Sequence, residues 1–134
     1  MRKTIRVILI CIVGSLLISS AAAAKRKPAR LRVTGIYSNM IYVEEASDVV
    51  GMEVFIVDGG DGYYATVQIA EGAPDPPVLV KVEVKGTAIE FTLPGEAGAS
   101  LGKFTGTVTA RGLRGRFANA VRAEYLSRRK SYWQ

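Results

Sequence analysis

Gly98-Ala99-Ser100-Leu101-Gly102 spells G-x-S-x-G, and Ser100-Leu101-Gly102-Lys103 overlaps it as S-x-x-K. The first spacing is that of a nucleophile elbow, which holds its serine on a strand-to-helix turn and takes a histidine as base. This chain has no histidine. The second spacing works when a helix carries the lysine one turn round to the serine. Gly102, followed by an alternating stretch that reads as a strand, argues against such a helix. Both patterns share one Gly/Ala/Ser-rich loop, where short matches arise by chance. The loop reading therefore outweighs catalysis.

Other chemistry-bearing residues are equally sparse. Asp58 and Asp61 lie among Gly59, Gly60 and Gly62, which is turn chemistry. A calcium loop asks for more acidic or amide ligands and a closing glutamate. Zinc would need histidine or thiolate ligands, and the one cysteine, Cys11, lies in the N-terminal apolar run. Ile10 before it and its mid-run position do not fit a lipidation site. Glu44 and Glu45 are adjacent, so on a strand they would point to opposite faces. Arg111 to Phe117, RGLRGRF, faintly matches an RNA-binding strand, but Leu113 and Arg116 stand where that motif carries aromatics. The usual bases and nucleophiles are scarce. The residues point to a non-enzymatic protein with no cofactor and no metal, and they identify no ligand-binding residue.

The elements that would position any site are strands. Val78 to Leu93, VLVKVEVKGTAIEFTL, places Val78, Val80, Val82 and Val84 on one parity and Leu79, Lys81, Glu83 and Lys85 on the other. After Gly86 the alternation resumes with Ile89, Phe91 and Leu93. A period of two sends alternate side chains to opposite faces, so this is a hairpin turning near Lys85-Gly86. A lone hairpin is marginal in water and needs neighbours.

The neighbours follow in order. Leu31 to Val33 begins a first strand, with a break at Gly35. Ile36 to Glu45 is a second candidate with apolar residues on both parities. Val49 to Val57 is a strand in which Gly51 predicts a bulge or sharp bend. Tyr63 to Ala70 puts Tyr63, Ala65, Val67 and Ile69 on one face. Glu71 to Pro77 is a polar loop whose prolines forbid a central strand. Pro94 to Gly102 reads as a flexible loop. Lys103 to Ala110 sends Phe104, Gly106, Val108 and Ala110 inward, and after a turn near Arg111-Gly112 so do Leu113, Gly115 and Phe117. Glu124 to Gln134 reads as a last strand, with a short helix as the alternative. The total is about eight short strands and no convincing helix after the leader. The fold class is all-β, a small antiparallel up-and-down barrel of about eight strands, with a β-sandwich as the alternative.

The 134 residues divide as 1–24, 25–30 and 31–134. Arg2, Lys3 and Arg6 precede an apolar run from Val7 to Ile18, and Ser19 to Ala24 offers a small-residue cleavage site. This is the layout of a secretory signal peptide, the alternative being an uncleaved anchor. Residues 25–30, KRKPAR, form a basic exposed tail. Residues 31–134 form the single barrel domain. Three of the 18 basic residues fall in the leader, so the 110 residues after it carry 15 basic against 12 acidic side chains, a net charge of +3. That balance suits weak attraction to anionic surfaces and does not argue for nucleic acid.

The leader, the small meander, Gly102 to Val108, Gly112 to Phe117 and Leu126 to Gln134 together resemble small uncharacterised secreted bacterial β-barrel proteins. The layout is similar to calycin-type barrels such as lipocalins, with Gly35-Ile36-Tyr37 standing where those carry Gly-x-Trp. The resemblance is one of layout and transfers no binding residues; the first expectation is a monomeric extracytoplasmic barrel, periplasmic or secreted, that binds a small apolar or amphipathic ligand. The second expectation is an interaction, inhibitor or structural module of the cell envelope with a filled barrel. Its candidate patch is Tyr125, Arg128, Arg129, Tyr132 and Trp133. Gly106, Gly115, Ala65 and Ala110 on the inner face leave either spare room or space for Trp133. No membrane span is expected after cleavage.

Overall fold

The computed structural model describes residues 31–130; the expected signal peptide (1–24), the expected basic tail (25–30) and residues 131–134 lie outside it. Nine strands follow in order among the described residues. They are β1 (Gly35–Ser38), β2 (Ile41–Val43), β3 (Asp48–Asp58), β4 (Tyr63–Gly72), β5 (Val78–Lys85), β6 (Ala88–Thr92), β7 (Lys103–Val108), β8 (Gly112–Phe117) and β9 (Glu124–Arg129). A short helix, α1 (Gly95–Leu101), joins β6 to β7.

Every neighbouring pair is antiparallel, and β1 pairs with both β3 and β9. Eight strands therefore close into a barrel, and β2 is an extra strand on the flank of β3. Closure removes the two edges an open meander of this size would expose. The inward parities are those the alternation predicts. Val54, Ile56, Ala65, Val67, Val80, Val82, Ile89, Phe104, Val108, Leu113 and Leu126 are all buried. Phe91, Phe104 and Phe117 lie in one cross-strand row on β6, β7 and β8. Phe91 stacks on Phe104 with centroids 4.7 Å apart, and Phe117 meets Phe104 edge-on at 5.1 Å.

Several expectations are corrected. Leu31 to Val33 is not strand; β1 begins at Gly35, and Val33 is nevertheless buried in the core. The segment from Ile36 to Glu45 is two strands. Both keep one register against β3, with Tyr37 opposite Val54 and Ile41 opposite Val50. At Asn39 the strand peels away from β9, which explains the mixed parity: Tyr37 is sealed in the barrel, whereas Ile41 and Tyr42, beyond the split, are each 60% exposed. Gly51 allows this bend. A Cβ there would sit 2.8 Å from the Asn39 carbonyl oxygen, and its φ is +119°.

The expected loop at 94–102 contains α1, so the described residues do include one helix. Helix propensity in Glu96-Ala97 and Ala99-Ser100-Leu101 was masked by the flanking glycines. Ala110 is not inward; it is exposed in the turn after β7. Gly106 and Gly115 face each other across β7 and β8, and the Phe104 ring takes the space their missing side chains leave. A Cβ on Gly106 would meet Phe104 Cε1 at 2.8 Å and Leu113 Cδ1 at 2.9 Å.

Candidate functional site

The two ends of the barrel differ. At one end the chain enters through Arg32–Thr34 and leaves through β9, and the ends are clasped there. Tyr37 and Arg128 build the clasp from adjacent strands on inward parity. The Arg128 guanidinium lies 4.9 Å from the Tyr37 ring centroid. Its Nη2 donates to Tyr37 Oη at 2.6 Å and to the Arg32 carbonyl at 2.7 Å; Nη1 donates to the Thr34 carbonyl at 3.1 Å. Tyr37 Oη in turn donates to the Val33 carbonyl at 2.7 Å. Burial raises the Tyr37 phenol above its ordinary value of 10.0, while the charge and hydrogen bond of Arg128 pull it the other way. This end is a plug.

The other end is a mouth. A cleft of about 320 Å³ opens between the start of β3, the end of β4, the end of α1 and the β8–β9 loop. Met52, Ile69, Leu101, Phe117 and Ala120 give it an apolar wall, and Glu71 and Glu124 stand on its rim. Asn39 orients Glu124. Its Oδ1 accepts from the Met52 N–H at 2.7 Å, and its Nδ2 donates to Glu124 Oε2 at 2.8 Å. The Asn39 N–H also donates to the Met52 carbonyl at 3.1 Å. The other carboxylate oxygen of Glu124 makes no hydrogen bond among the described residues. The cleft can thus seat an apolar body and accept a hydrogen bond from a polar end.

Comparison with protein-family models, curated proteins and solved structures found no match. The closed small barrel is the part of the sequence resemblance that the structure carries.

The residues singled out for chemistry are not brought together. Ser100 is exposed on α1, which ends at Gly102; Lys103 opens β7, where its Nζ lies 3.3 Å from Glu90 Oε2. Asp58 Oδ1 accepts from the Gly60 N–H, and Asp61 Oδ2 accepts from Tyr64 Oη, so both acids serve their turn. Among the described residues no group of three or more histidine, cysteine or acidic side chains is placed to hold a metal. Glu44 and Glu45 are exposed between β2 and β3. Of the aromatic-basic patch, Tyr125 and Arg129 are on the outer face and Arg128 is turned inward to the clasp; Tyr132 and Trp133 lie outside the described residues. Sequence reasoning put Arg128 in the exposed patch rather than in the clasp, and it missed Asn39. One signal was available for Arg128: it shares parity with Leu126, an inward residue. Nothing in the spacing marked Asn39.

Proposed function

We propose that this protein is an exported, non-enzymatic barrel that binds a small amphipathic ligand at its mouth. The observation that carries this reading is the cleft of about 320 Å³, at the lower end of the range for small-molecule sites. The apolar part of the ligand lies against Met52, Ile69 and Phe117, and a hydrogen-bond donor on its head meets Glu124. The interior beneath is occupied by the phenylalanine row, so the ligand sits in the mouth rather than in the barrel's centre. The signal-peptide layout of residues 1–24 supports an extracytoplasmic location.

Native mass spectrometry of the protein purified from its exported compartment tests this. The expected result is an added mass that is lost on denaturation and is absent from Ala120→Trp, whose indole fills the cleft. A bare wild-type mass, together with no uptake of an apolar fluorescent probe, overturns it. The packing of Phe104 against Gly106 and Gly115 favours one other reading, a filled barrel acting as an envelope interaction module. That reading expects the bare mass.

A further inference from the structure

The outer face of the β8–β9 hairpin carries a cationic stripe that neither the clasp nor the mouth uses. Arg114 and Arg116 both point outward on β8, about 7 Å apart as alternate residues on a strand. Arg114 is the cross-strand partner of Tyr125, which is 49% exposed. Arg111 sits in the turn at one end of the hairpin and Arg122 in the loop at the other, and all four arginines are exposed. The neighbouring outward positions on β7 are Thr105 and Thr107, paired with Arg116 and Arg114, so no acid lies beside the arginines there. Among the described residues the only ion pair is Lys103–Glu90. The stripe is therefore uncompensated positive charge.

The same hairpin carries an apolar tip. Val121 is 95% exposed beside Arg122. The base of this loop is fixed: the Ala118 N–H donates to the Lys103 carbonyl, and the Asn119 N–H to the Leu101 carbonyl. Asn119 Nδ2 also donates to the Ser100 carbonyl at 2.8 Å. The fixed base holds Val121 out in solvent at the end of a row of arginines with a tyrosine alongside.

We propose that the β8–β9 hairpin docks this barrel on an anionic lipid surface. Charge complementarity selects an anionic partner, because arginine's planar fork suits phosphate oxygens. The exposed valine and the tyrosine select a bilayer over a soluble polyanion. An aliphatic tip gains nothing from a sulfated or phosphorylated chain in water, but it is favoured on entering the boundary between headgroups and acyl chains, where tyrosine also partitions. The arginines then lie among the headgroups, within reach of the negative surface potential. The mouth faces the same end as Val121, so a docked barrel presents its cleft near the bilayer.

Co-sedimentation of the exported protein with vesicles tests the docking. Phosphatidylcholine vesicles are compared with phosphatidylcholine–phosphatidylglycerol vesicles. Binding is expected only with the anionic lipid, and it is expected to weaken as salt rises. Arg114→Ala combined with Arg116→Ala is expected to weaken it on the order of thirtyfold. Val121→Ser is expected to weaken it several-fold on the order of a lost side-chain burial, with the salt dependence kept. All three positions are exposed, and thermal melts of the variants check that each remains folded. Equal binding to both vesicle types, no binding to either, or wild-type binding by the double arginine variant overturns the proposal. So does tight binding to dextran sulfate with no dependence on Val121, which would assign the stripe to a soluble polyanion. None of these outcomes depends on whether the mouth holds a ligand.

Discussion

Arg128 performs a structural task that its charge alone does not suggest. Its fork reaches two backbone carbonyls of the entering segment and a phenol on the adjacent strand, and its charge lies over that phenol's ring. A charge-assisted hydrogen bond that is partly buried contributes more than an exposed one. Arg128 Nε, in contrast, is buried without a partner, which offsets part of the gain. Arg128→Ala is therefore expected to lower stability by about 2–3 kcal/mol in urea melts. Arg128→Lys should fall between the two, since an ammonium keeps the charge but cannot span the same three acceptors. Tyr37→Phe removes one acceptor from Arg128 and one donor from Val33, and is expected to cost about 1–2 kcal/mol.

Tyr37 also makes stability depend on alkaline pH. Burial holds its phenol above the ordinary 10.0 in the folded protein. Below pH 10 both folded and unfolded chains keep the proton, and the full stability is present. Above pH 10 the unfolded chain ionises first, so it binds fewer protons than the folded one, and stability falls as pH rises toward the folded value. Tyr64, half-buried and hydrogen-bonded to Asp61, is raised as well and adds to the alkaline response of any variant that retains it. Subtracting the pH profile of Tyr37→Phe from that of the wild type isolates the clasp. The difference should be flat to pH 10 and shrink above it. A difference that grows above pH 10 would contradict the assigned burial.

Among the elements, β7 and β8 show most directly how residue size sets packing. Two glycines oppose each other so that one phenylalanine can lie across them. Gly106→Ala is expected to cost about 1–3 kcal/mol through overpacking against Phe104 and Leu113. Because the two nearest obstacles are side chains, with the Arg114 carbonyl oxygen next at 3.1 Å, placing the change in a Phe104→Leu background should cost less than the two single costs added together. A double-mutant cycle of chemical denaturation measures the coupling. Simple additivity would mean that the Phe104 ring does not fill the glycine space.

The same strands show what could be read from the chain. The alternation of Val78 to Leu93 and of Phe104 to Phe117 gave strands, turns and inward faces, because a period of two leaves little choice once one face is buried. It could not give the helix α1, since seven residues rich in glycine and alanine carry no apolar period. Nor could it separate β1 from β2. That break at Asn39 arises from where β9 ends its pairing, at Ser38 opposite Ser127, and the partner strand lies 89 residues further on. The candidate cleft was hidden for the same reason: Met52, Ile69, Leu101, Phe117 and Glu124 come from four strands and a helix. Ser100 and Lys103, which stood out in the sequence, share no geometry.

At the scale of the molecule, the decisive contact is between the first strand and the last. The strands from β3 to β9 form a meander of adjacent hairpins, and β1 is the one strand that joins both ends of it. Closure therefore depends on β9. A chain ending at Ala123 would leave one edge of β8 and one edge of β1 unpaired, and would lose both Leu126, whose fully buried side chain fills part of the core, and Arg128 of the clasp. Unpaired edges and exposed core favour association over folding. Such a truncation is expected to lose its cooperative unfolding transition and to aggregate.

A circular permutant changes the connectivity and keeps the closure. Lys130 follows directly on β9, and Arg32 is bonded to Arg128, so a short glycine linker can join the two old ends on one side of the barrel. New ends opened at Gly60 fall in an exposed turn where even a Cβ would meet nothing within 4 Å. That permutant should unfold in one transition, because every strand pairing survives. If it failed to fold while the chain ending at Ala123 kept a cooperative transition, stability would reside in the order of the hairpins rather than in the ring.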